Sequence, residues 1–216
     1  CSEGYVYQGV IDDASSTCSS HGTHCVSTAA GRRWGVAKNA TIVPVQVLSC
    51  RGSGSLAGVI SGLEWAVQHA LQHGQPAVAS MSLGGGRSQS QNDAIDAAHQ
   101  SGVNCVVSSG NSATDSCTRS PASAPAAITV GSTTDIDEVS GFSNQGPCLD
   151  LFAPGNHITA ACCSSSTSTC TMSSTSMSAP HVAGAVAQLR GKVKNGGGNQ
   201  TLSHAVLCAQ YTSCAL

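Results

Sequence analysis

The sequence predicts an α/β fold, a doubly wound and mostly parallel sheet with helices on both faces. Two observations point to this fold: short apolar or β-branched runs alternate with segments of helical periodicity, and glycine, serine and alanine are abundant. Only 9% of the 216 residues are charged and 3% are aromatic, which suits tight turns and close backbone packing. The length fits one domain.

The apolar runs predict the strands, because short continuous apolar segments are typical of a buried parallel sheet. Thr41–Leu48 is the clearest of them, since it alternates and is rich in valine. The predicted strands are Tyr5–Ile11, Thr41–Leu48, Ala77–Leu83, Val103–Ser108, Ala127–Gly131, Leu149–Phe152 and Ile158–Ala161.

The helices are predicted from spacing and from stop signals. In Leu56–Gln72 the apolar residues recur at helical intervals, and His73-Gly74 follows as a stop. The other predicted helices are His21–Ala30, Asp93–Gln100 and Met177–Arg190.

The C-terminal part reads differently from the rest. Asn195–Asn199 is rich in glycine and predicts a linker, and Leu202–Cys208 offers only one short helix. We therefore expect a domain over residues 1–190, followed by a linker and C-terminal tail over residues 191–216.

Composition argues against a nucleic-acid-binding or membrane-spanning protein and favours a secreted protein with disulfides. Nine Lys and Arg against 11 Asp and Glu leave no basic face for nucleic acid, and no apolar run reaches the roughly 18 residues that span a bilayer. None of the 12 cysteines falls into a paired CxxC zinc pattern, so disulfides and an oxidising compartment are expected. The sequons Asn39-Ala40-Thr41 and Asn199-Gln200-Thr201 support secretion. The chain opens without a leader, so we expect a mature form or a fragment.

Three features are candidates for chemistry: two single residues and a pair of histidines. Ser176 stands at the start of a predicted helix, where backbone N–H groups favour developing negative charge, although a capped helix start is the simpler interpretation. Asn111 follows Ser109-Gly110, which also suits a plain turn. His21 and His24 are spaced like a metal pair on one helix face, but no third ligand stands at a usual spacing.

Together His21, Asn111 and Ser176 lie in motifs similar to those of the subtilisin-like serine proteases. The cysteine in His21-Gly22-Thr23-His24-Cys25 resembles the proteinase K branch of that family. Further stretches that carry the resemblance are Gly35-Val36-Ala37-Lys38, Ser80-Met81-Ser82-Leu83-Gly84-Gly85-Gly86, Ser109-Gly110-Asn111, Ser120-Pro121-Ala122-Ser123-Ala124-Pro125, Asp150-Leu151-Phe152-Ala153-Pro154-Gly155 and Thr175-Ser176-Met177.

The resemblance implies a secreted serine endopeptidase that works through an acyl-enzyme intermediate. Ser176 would be the nucleophile and His21 the general base, while the Asn111 carboxamide and the Ser176 N–H would hold the oxyanion. The implied substrate-binding residues are Gly54, Ser82, Leu83, Gly84 and Ser108. A polypeptide substrate is the expected partner, with the enzyme's own pro-segment as a further candidate, on a monomer. The alternative is a catalytically weak, protease-like domain that acts as a protein-binding module.

The resemblance also implies disulfides and a metal site. No cofactor is needed for the chemistry, but a structural calcium would use the carbonyls of Pro125 and Ala127 and the carboxylate of Asp150, with a plain surface aspartate as the alternative. The implied disulfide pairs are Cys18–Cys50, Cys117–Cys148, and Cys170 with either Cys162 or Cys163. The apolar surroundings of Cys25 and Cys105 predict buried thiols.

The sequence departs from the family pattern at two places. Asp12 ends a Val-Ile-Asp run but stands close before His21. A second alignment, from Glu3-Gly4, places the catalytic aspartate and its strand upstream of Cys1, and this is the alignment we expect. Asp12 as the acting aspartate, or as a loop residue, remains the alternative. At Ser174 the family has glycine, so a serine there would be strained if the position needs positive φ or close backbone approach.

Overall fold

The computed structural model describes residues 7–8, 19–74, 76–194 and 205–209. The helices are α1 (His21–Ala30), α2 (Leu56–His73), α3 (Gln89–Gln100) and α4 (Thr175–Lys194), with a 3-10 turn at Ser116–Thr118. The strands are β1 (Tyr7–Gln8), β2 (Thr41–Gln46), β3 (Ala77–Met81), β4 (Gly85–Gly86), β5 (Val103–Ser108), β6 (Arg119–Ser120), β7 (Ile128–Thr133), β8 (Leu151–Pro154), β9 (Ile158–Ala161), β10 (Thr169–Met172) and β11 (Ala205–Ala209).

One large sheet organises the described residues. Its seven strands follow the order β1-β2-β11-β3-β5-β7-β8, and every neighbouring pair is parallel. Small antiparallel pairs, β9 with β10 and β4 with β6, lie outside it. The predicted α/β fold with a mostly parallel sheet is confirmed.

Helices cover both faces of this sheet, as the strand sequences require. In β3, Ala77 and Ala79 belong to a core cluster that includes α2 and α3, whereas Val78 belongs to the cluster that includes α1 and α4. Successive side chains of a strand point to opposite faces, so a strand covered on both faces is predominantly apolar, and Ser80 is the one polar residue of β3. All five residues of β3 are buried accordingly.

The face that carries α1 and α4 is built from small residues. A Cβ added at Gly184 in α4 would lie 2.6 Å from the Ala29 carbonyl oxygen of α1 and 2.8 Å from Val36 Cβ. The two helices therefore approach so closely that this position has room only for glycine. This contact fixes the start of α4, where Ser176 lies, relative to α1, where His21 lies.

The capping residues mark the ends of the helices more accurately than the apolar periodicity does. The Ser88 hydroxyl accepts a hydrogen bond from Gln91 N, so α3 begins at Gln89, four residues before the predicted Asp93. The α2 helix ends where Gly74 takes the left-handed conformation, φ 58°, as its stop signal predicts.

The C-terminal tail differs from the prediction. The short helix expected over Leu202–Cys208 is wrong, because Ala205–Ala209 forms strand β11 between β2 and β3. By periodicity alone, a five-residue apolar run fits a buried strand and a helical turn equally well. Here the pairing of this segment with β2 and β3 makes it a strand. The described part of residues 191–216 thus contributes an internal strand of the sheet. The predicted linker Asn195–Asn199 and also Asp12 lie outside the described residues.

The disulfides agree with the pattern expected from the sequence where both partners are described. Cys117–Cys148 is present, and Cys170 pairs with Cys162. Cys50 and Cys163 are each disulfide-bonded, but Cys18 lies outside the described residues, so the pair Cys18–Cys50 stays a prediction.

The two cysteines expected as thiols, Cys25 and Cys105, are buried thiols, and this prediction is confirmed. Burial raises the pKa of Cys105 to about 12, so this thiol stays protonated at neutral pH. Within the described ranges, no helix has both the length and the apolar character that a bilayer span requires.

Candidate active site

A cleft of about 790 Å³ opens at the carboxyl ends of β3 and β5. In parallel α/β sheets this edge is where ligand sites form. Every described residue predicted from the sequence to act in catalysis or substrate binding lines it: His21, Gly54, Ser82, Leu83, Gly84, Ser108, Asn111 and Ser176. Segments that are up to 155 residues apart in the chain, from His21 to Ser176, thus face one space.

Ser176 lies in the first turn of α4 and is 7% exposed. Pro180 has no N–H, so the Ser176 carbonyl lacks the donor that an uninterrupted helix would supply four residues later. Two other groups donate to that carbonyl: Ser82 Oγ at 2.8 Å and Cys25 Sγ at 3.4 Å. These contacts fix the backbone of Ser176 against β3 and α1. Its own hydroxyl donates to the Ser82 carbonyl oxygen at 3.4 Å.

The orientation of the Asn111 carboxamide follows from its partner. Thr175 donates to Asn111 Oδ1 from its backbone N at 2.8 Å and from its hydroxyl at 2.9 Å. A backbone N–H can only donate, so the atom that faces it must be the amide oxygen. The Nδ2 group of Asn111 consequently points away from Thr175.

Asn111 Nδ2 meets a second donor at a single oxygen atom. Asn111 Nδ2 donates to Ser174 Oγ at 3.0 Å, and Ser176 N donates to the same oxygen at 3.0 Å. Two N–H groups that converge on one oxygen beside a serine hydroxyl are the arrangement that binds the oxyanion of acyl transfer. Among described residues with positive φ, Ser174 is absent, so the left-handed strain considered for this serine does not arise.

Asn144 holds the loop that carries Asn111, a role that sequence reasoning missed. It is fully buried, and its Oδ1 accepts from Ser112 N at 2.9 Å and Thr114 N at 3.1 Å. Its Nδ2 donates to the Ser109 carbonyl oxygen at 2.9 Å. The only local signal is a turn-rich stretch from Gly141 to Gly146, which does not show that an amide there closes on a distant loop.

The two histidines of α1 point to different surroundings. His21 begins the helix, its backbone N donates to Ser19 Oγ at 3.3 Å, and it lines the cleft. His24 is fully buried, and its Nε2 lies 3.0 Å from the Ile158 carbonyl oxygen. Burial lowers the pKa of His24 below its ordinary value, and the Ile158 bond opposes that shift only in part.

The residues predicted to bind a metal lie apart from the described lining of the cleft. Asp150 Oδ2 accepts a hydrogen bond from Thr129 N at 2.7 Å, Pro125 is exposed and Ala127 is buried. No group of three or more His, Cys, Asp or Glu side chains is placed to hold a metal ion in the described part of the chain. The His21–His24 pair therefore gains no third ligand there.

Comparison with known proteins agrees with the fold described above. The fold is that of a subtilisin-like α/β protein: a crystal structure of a cold-adapted subtilisin-like serine proteinase superposes with a TM-score of 0.80 at 43% identity, and covers 97% of this chain and 82% of that one. The chain belongs to the subtilase family, whose pattern matches residues 6–211. The resemblance read from the sequence motifs is confirmed.

Curated relatives are proteases from bacteria and fungi. An extracellular serine proteinase of Thermus sp. (strain Rt41A) is 53% identical over 170 residues, which are 79% of this chain and 41% of that protein. Alkaline serine exoprotease A of Vibrio alginolyticus is 48% identical over 182 residues, 84% of this chain and 33% of that protein. The chain thus spans less than half the length of these relatives.

Proposed function

We propose that this chain is the peptidase domain of a secreted serine endopeptidase. The observation that carries the proposal is the convergence of Asn111 Nδ2 and Ser176 N on one oxygen atom, each at 3.0 Å, in the cleft that His21 also lines. An oxygen at that point would accept two hydrogen bonds while its carbon lies next to the Ser176 hydroxyl, as the carbonyl of a scissile peptide requires.

The chemistry assigns one role to each group. The Ser176 hydroxyl attacks the scissile carbonyl, and His21 takes its proton and passes it to the leaving amine. Asn111 Nδ2 and the Ser176 N–H stabilise the negative oxygen. Water then hydrolyses the acyl-enzyme ester, with His21 again as the base.

The cleft wall suggests how an extended peptide would be bound and which side chains it would carry. Gly54 and Ser82–Gly84 both line the cleft, so a substrate strand could pair with both. Arg119 is the only Asp, Glu, Lys or Arg among the described residues that line it. With no carboxylate there to pair with a cation, a substrate with Lys or Arg at the cleaved position gains no ionic partner, and Ser108 leaves an uncharged pocket wall.

A fluorophosphonate probe tests the assignment of the nucleophile. We expect Ser176 to be labelled in the folded protein, and both labelling and peptide hydrolysis to be lost in Ser176→Ala and His21→Ala. Ser173→Ala is the matched control, because Ser173 is exposed and its Oγ accepts from His157 N at 2.9 Å, away from the two donors Asn111 Nδ2 and Ser176 N. Folded protein that takes up no label and cleaves no peptide would reject the protease and favour the binding module.

The third member of the triad is assigned by a separate experiment. Under the alignment from Glu3-Gly4 the aspartate is not Asp12, so Asp12→Asn should leave kcat nearly unchanged. If Asp12 orients His21, the same change should lower kcat by about 3 × 10⁴, the loss known for the aspartate of subtilisin itself.

A structural calcium site at Asp150 remains part of the proposal. Its Oδ2 is engaged by Thr129 N, which orients the exposed carboxylate so that Oδ1 could bind a cation together with the carbonyls of Pro125 and Ala127. Chelation should lower the Tm of the wild type but not that of Asp150→Asn. The exposed Asp135→Asn serves as control, and an equal response of all three proteins would contradict the site.

Secretion of this protein is supported by its relatives and by its disulfides. One relative is named extracellular, and Cys117–Cys148 and Cys162–Cys170 need an oxidising compartment to form. Asn39 of the first sequon is exposed. Expression through a eukaryotic secretory pathway should give a glycosidase-sensitive shift that Asn39→Gln reduces.

A further inference from the structure

We infer that the hydroxyl of Ser174 is a built-in occupant of the oxyanion site and that it restrains catalysis until it rotates away. The inference rests on the proposed function, because it concerns the donors assigned there to the oxyanion. Ser174 Oγ now accepts the hydrogen bonds of Asn111 Nδ2 and Ser176 N, both at 3.0 Å. A substrate carbonyl oxygen needs the same two donors.

Neither donor can turn aside to serve a second acceptor. The Asn111 carboxamide is held by two hydrogen bonds from Thr175 to its Oδ1, which fix the direction of Nδ2. The backbone N of Ser176 is fixed by the first turn of α4, where Met177 N donates to the Ser174 carbonyl oxygen at 2.9 Å. The Ser176 backbone has a single N–H, so occupation by the hydroxyl and by a substrate oxygen is mutually exclusive at that donor. Because Asn111 Nδ2 converges on the same point, a substrate oxygen bound there also takes the place of the hydroxyl at the carboxamide.

The backbone of Ser174 is equally fixed, which leaves its χ1 rotation as the means of release. Ser174 N donates to the Gly155 carbonyl oxygen at 2.9 Å, and the Ser174 carbonyl accepts from Met177 N. Rotation about the Cα–Cβ bond moves the hydroxyl oxygen without disturbing either backbone contact. The side chain is half-buried, so water can reach it when it swings out.

The restraint acts on the reaction because the two acceptors differ in charge. In the ground state a neutral hydroxyl competes with a neutral substrate carbonyl, and the hydroxyl has the advantage of being already in place. In the tetrahedral intermediate the acceptor is an oxyanion, and charge-assisted hydrogen bonds are roughly twice as strong as neutral ones. The oxyanion therefore displaces the hydroxyl, but the two lost neutral bonds add to the barrier of acylation.

Removal of the hydroxyl tests the inference. Ser174→Ala should raise kcat/KM for a chromogenic peptide on the order of tenfold, since two neutral hydrogen bonds no longer have to be broken. Ser174→Gly should do the same, and Ser173→Ala, the neighbouring serine outside the oxyanion site, should not change kcat/KM. A peptide aldehyde, whose adduct with Ser176 carries the oxyanion, should bind the Ser174→Ala protein more tightly by the same factor.

A double-mutant cycle shows whether the gain passes through the donors. In an Asn111→Ala background one of the two competing bonds is gone, so the additional Ser174→Ala change should raise kcat/KM by a smaller factor. An equal gain in both backgrounds would mean that Ser174 acts elsewhere. A loss of kcat/KM in Ser174→Ala would overturn the inference outright, because it would show that the hydroxyl relays a hydrogen bond to the substrate.

Failure of the inference and failure of the proposed function give different results. The ¹H–¹⁵N resonances of the Asn111 carboxamide and of the Ser176 amide report the contact without any turnover. Both should shift in Ser174→Ala and stay in place in Ser173→Ala. If the shifts occur but no variant cleaves peptides, the protease assignment fails while occupancy by Ser174 stands. If they do not occur, the inference fails whatever the activity.

Discussion

Asn144→Ala should remove the side chain that holds the loop of Asn111 while it leaves the candidate site residues themselves unchanged. Asn144 lies outside the described lining of the cleft, yet its side chain binds three backbone groups of the loop that carries Asn111: Ser109 O, Ser112 N and Thr114 N, at 2.9 to 3.1 Å. The residue is fully buried, so water does not replace it without rearrangement.

The magnitude follows from those three bonds. A net contribution of about 1 kcal/mol for each hydrogen bond gives a loss of about 3 kcal/mol in the free energy of unfolding. The rate should fall as well, because a loosened loop no longer presents the Asn111 carboxamide at one position. A misplacement of about 1 Å costs up to roughly 10² in rate. Thr175 still binds Asn111, so we expect a loss of kcat between about tenfold and hundredfold.

Gln145→Ala is the matched control for this prediction. Gln145 is exposed and contacts the same loop through its backbone, where its N donates to the Thr114 carbonyl oxygen at 3.0 Å. Urea unfolding with unchanged m-value measures stability, and hydrolysis of a chromogenic peptide well below Tm measures kcat. If Asn144→Ala loses no more stability and activity than Gln145→Ala, the side chain does not hold the loop and the reasoning is refuted.

The other predictions concern single groups. Asn111→Ala should lower kcat by about 10²–10³, the loss known from the corresponding donor of subtilisin itself, with KM nearly unchanged; a rise in KM alone would contradict the oxyanion role. Burial lowers the folded-state pKa of His24, so the unfolded chain binds the proton first as pH falls. The free energy of unfolding should therefore fall as pH drops below about 6.5. His24→Gln keeps a donor for the Ile158 carbonyl and should reduce that fall, as measured by urea titrations at pH 5 and 7.5. Replacement of both Cys117 and Cys148 by serine opens a loop with a sequence separation of 31 and should cost about 3–4 kcal/mol of stability, and an unchanged urea midpoint would show that the bridge contributes nothing. Peptides with Leu or Phe at the cleaved position should have higher kcat/KM than those with Lys or Arg, and the reverse order would mean that a carboxylate reaches the pocket.

Much of the fold can be predicted from the sequence because its signals are local. A strand buried on both faces is predominantly apolar, so Ala77–Met81 and Val103–Ser108, with few polar residues, are recognisable without any knowledge of their neighbours. The helix of residues Leu56–His73 carries its own apolar stripe, and its caps, Ser55 and Gly74, are the residues directly before and after it. Where a signal was ambiguous, as at Ala205–Ala209, the neighbouring strands β2 and β3 decided between helix and strand.

The candidate site divides in the same way. Motif similarity pointed to His21, Asn111 and Ser176, and it showed that Ser174 stands where the family has glycine. The structure places the first three residues around one cleft. The sequence could not show that the hydroxyl of Ser174 binds both donors, since that contact depends on where a loop 63 residues earlier in the chain comes to lie. The role of Asn144, which is 35 residues from Ser109, was hidden for the same reason.

Sequence alone therefore determined the class of fold, most of its elements and the residue types of the site, because burial and backbone hydrogen bonding impose periodicities that can be read along the chain. Tertiary structure decided which strand lies between β2 and β3, which amide holds the loop of Asn111, and which oxygen accepts from Asn111 Nδ2 and Ser176 N. Those choices depend on the direction and distance of single polar atoms in segments that are far apart in sequence. A hydrogen bond forms only when its two heavy atoms come within about 3 Å, and no local sequence pattern shows which distant atoms will do so.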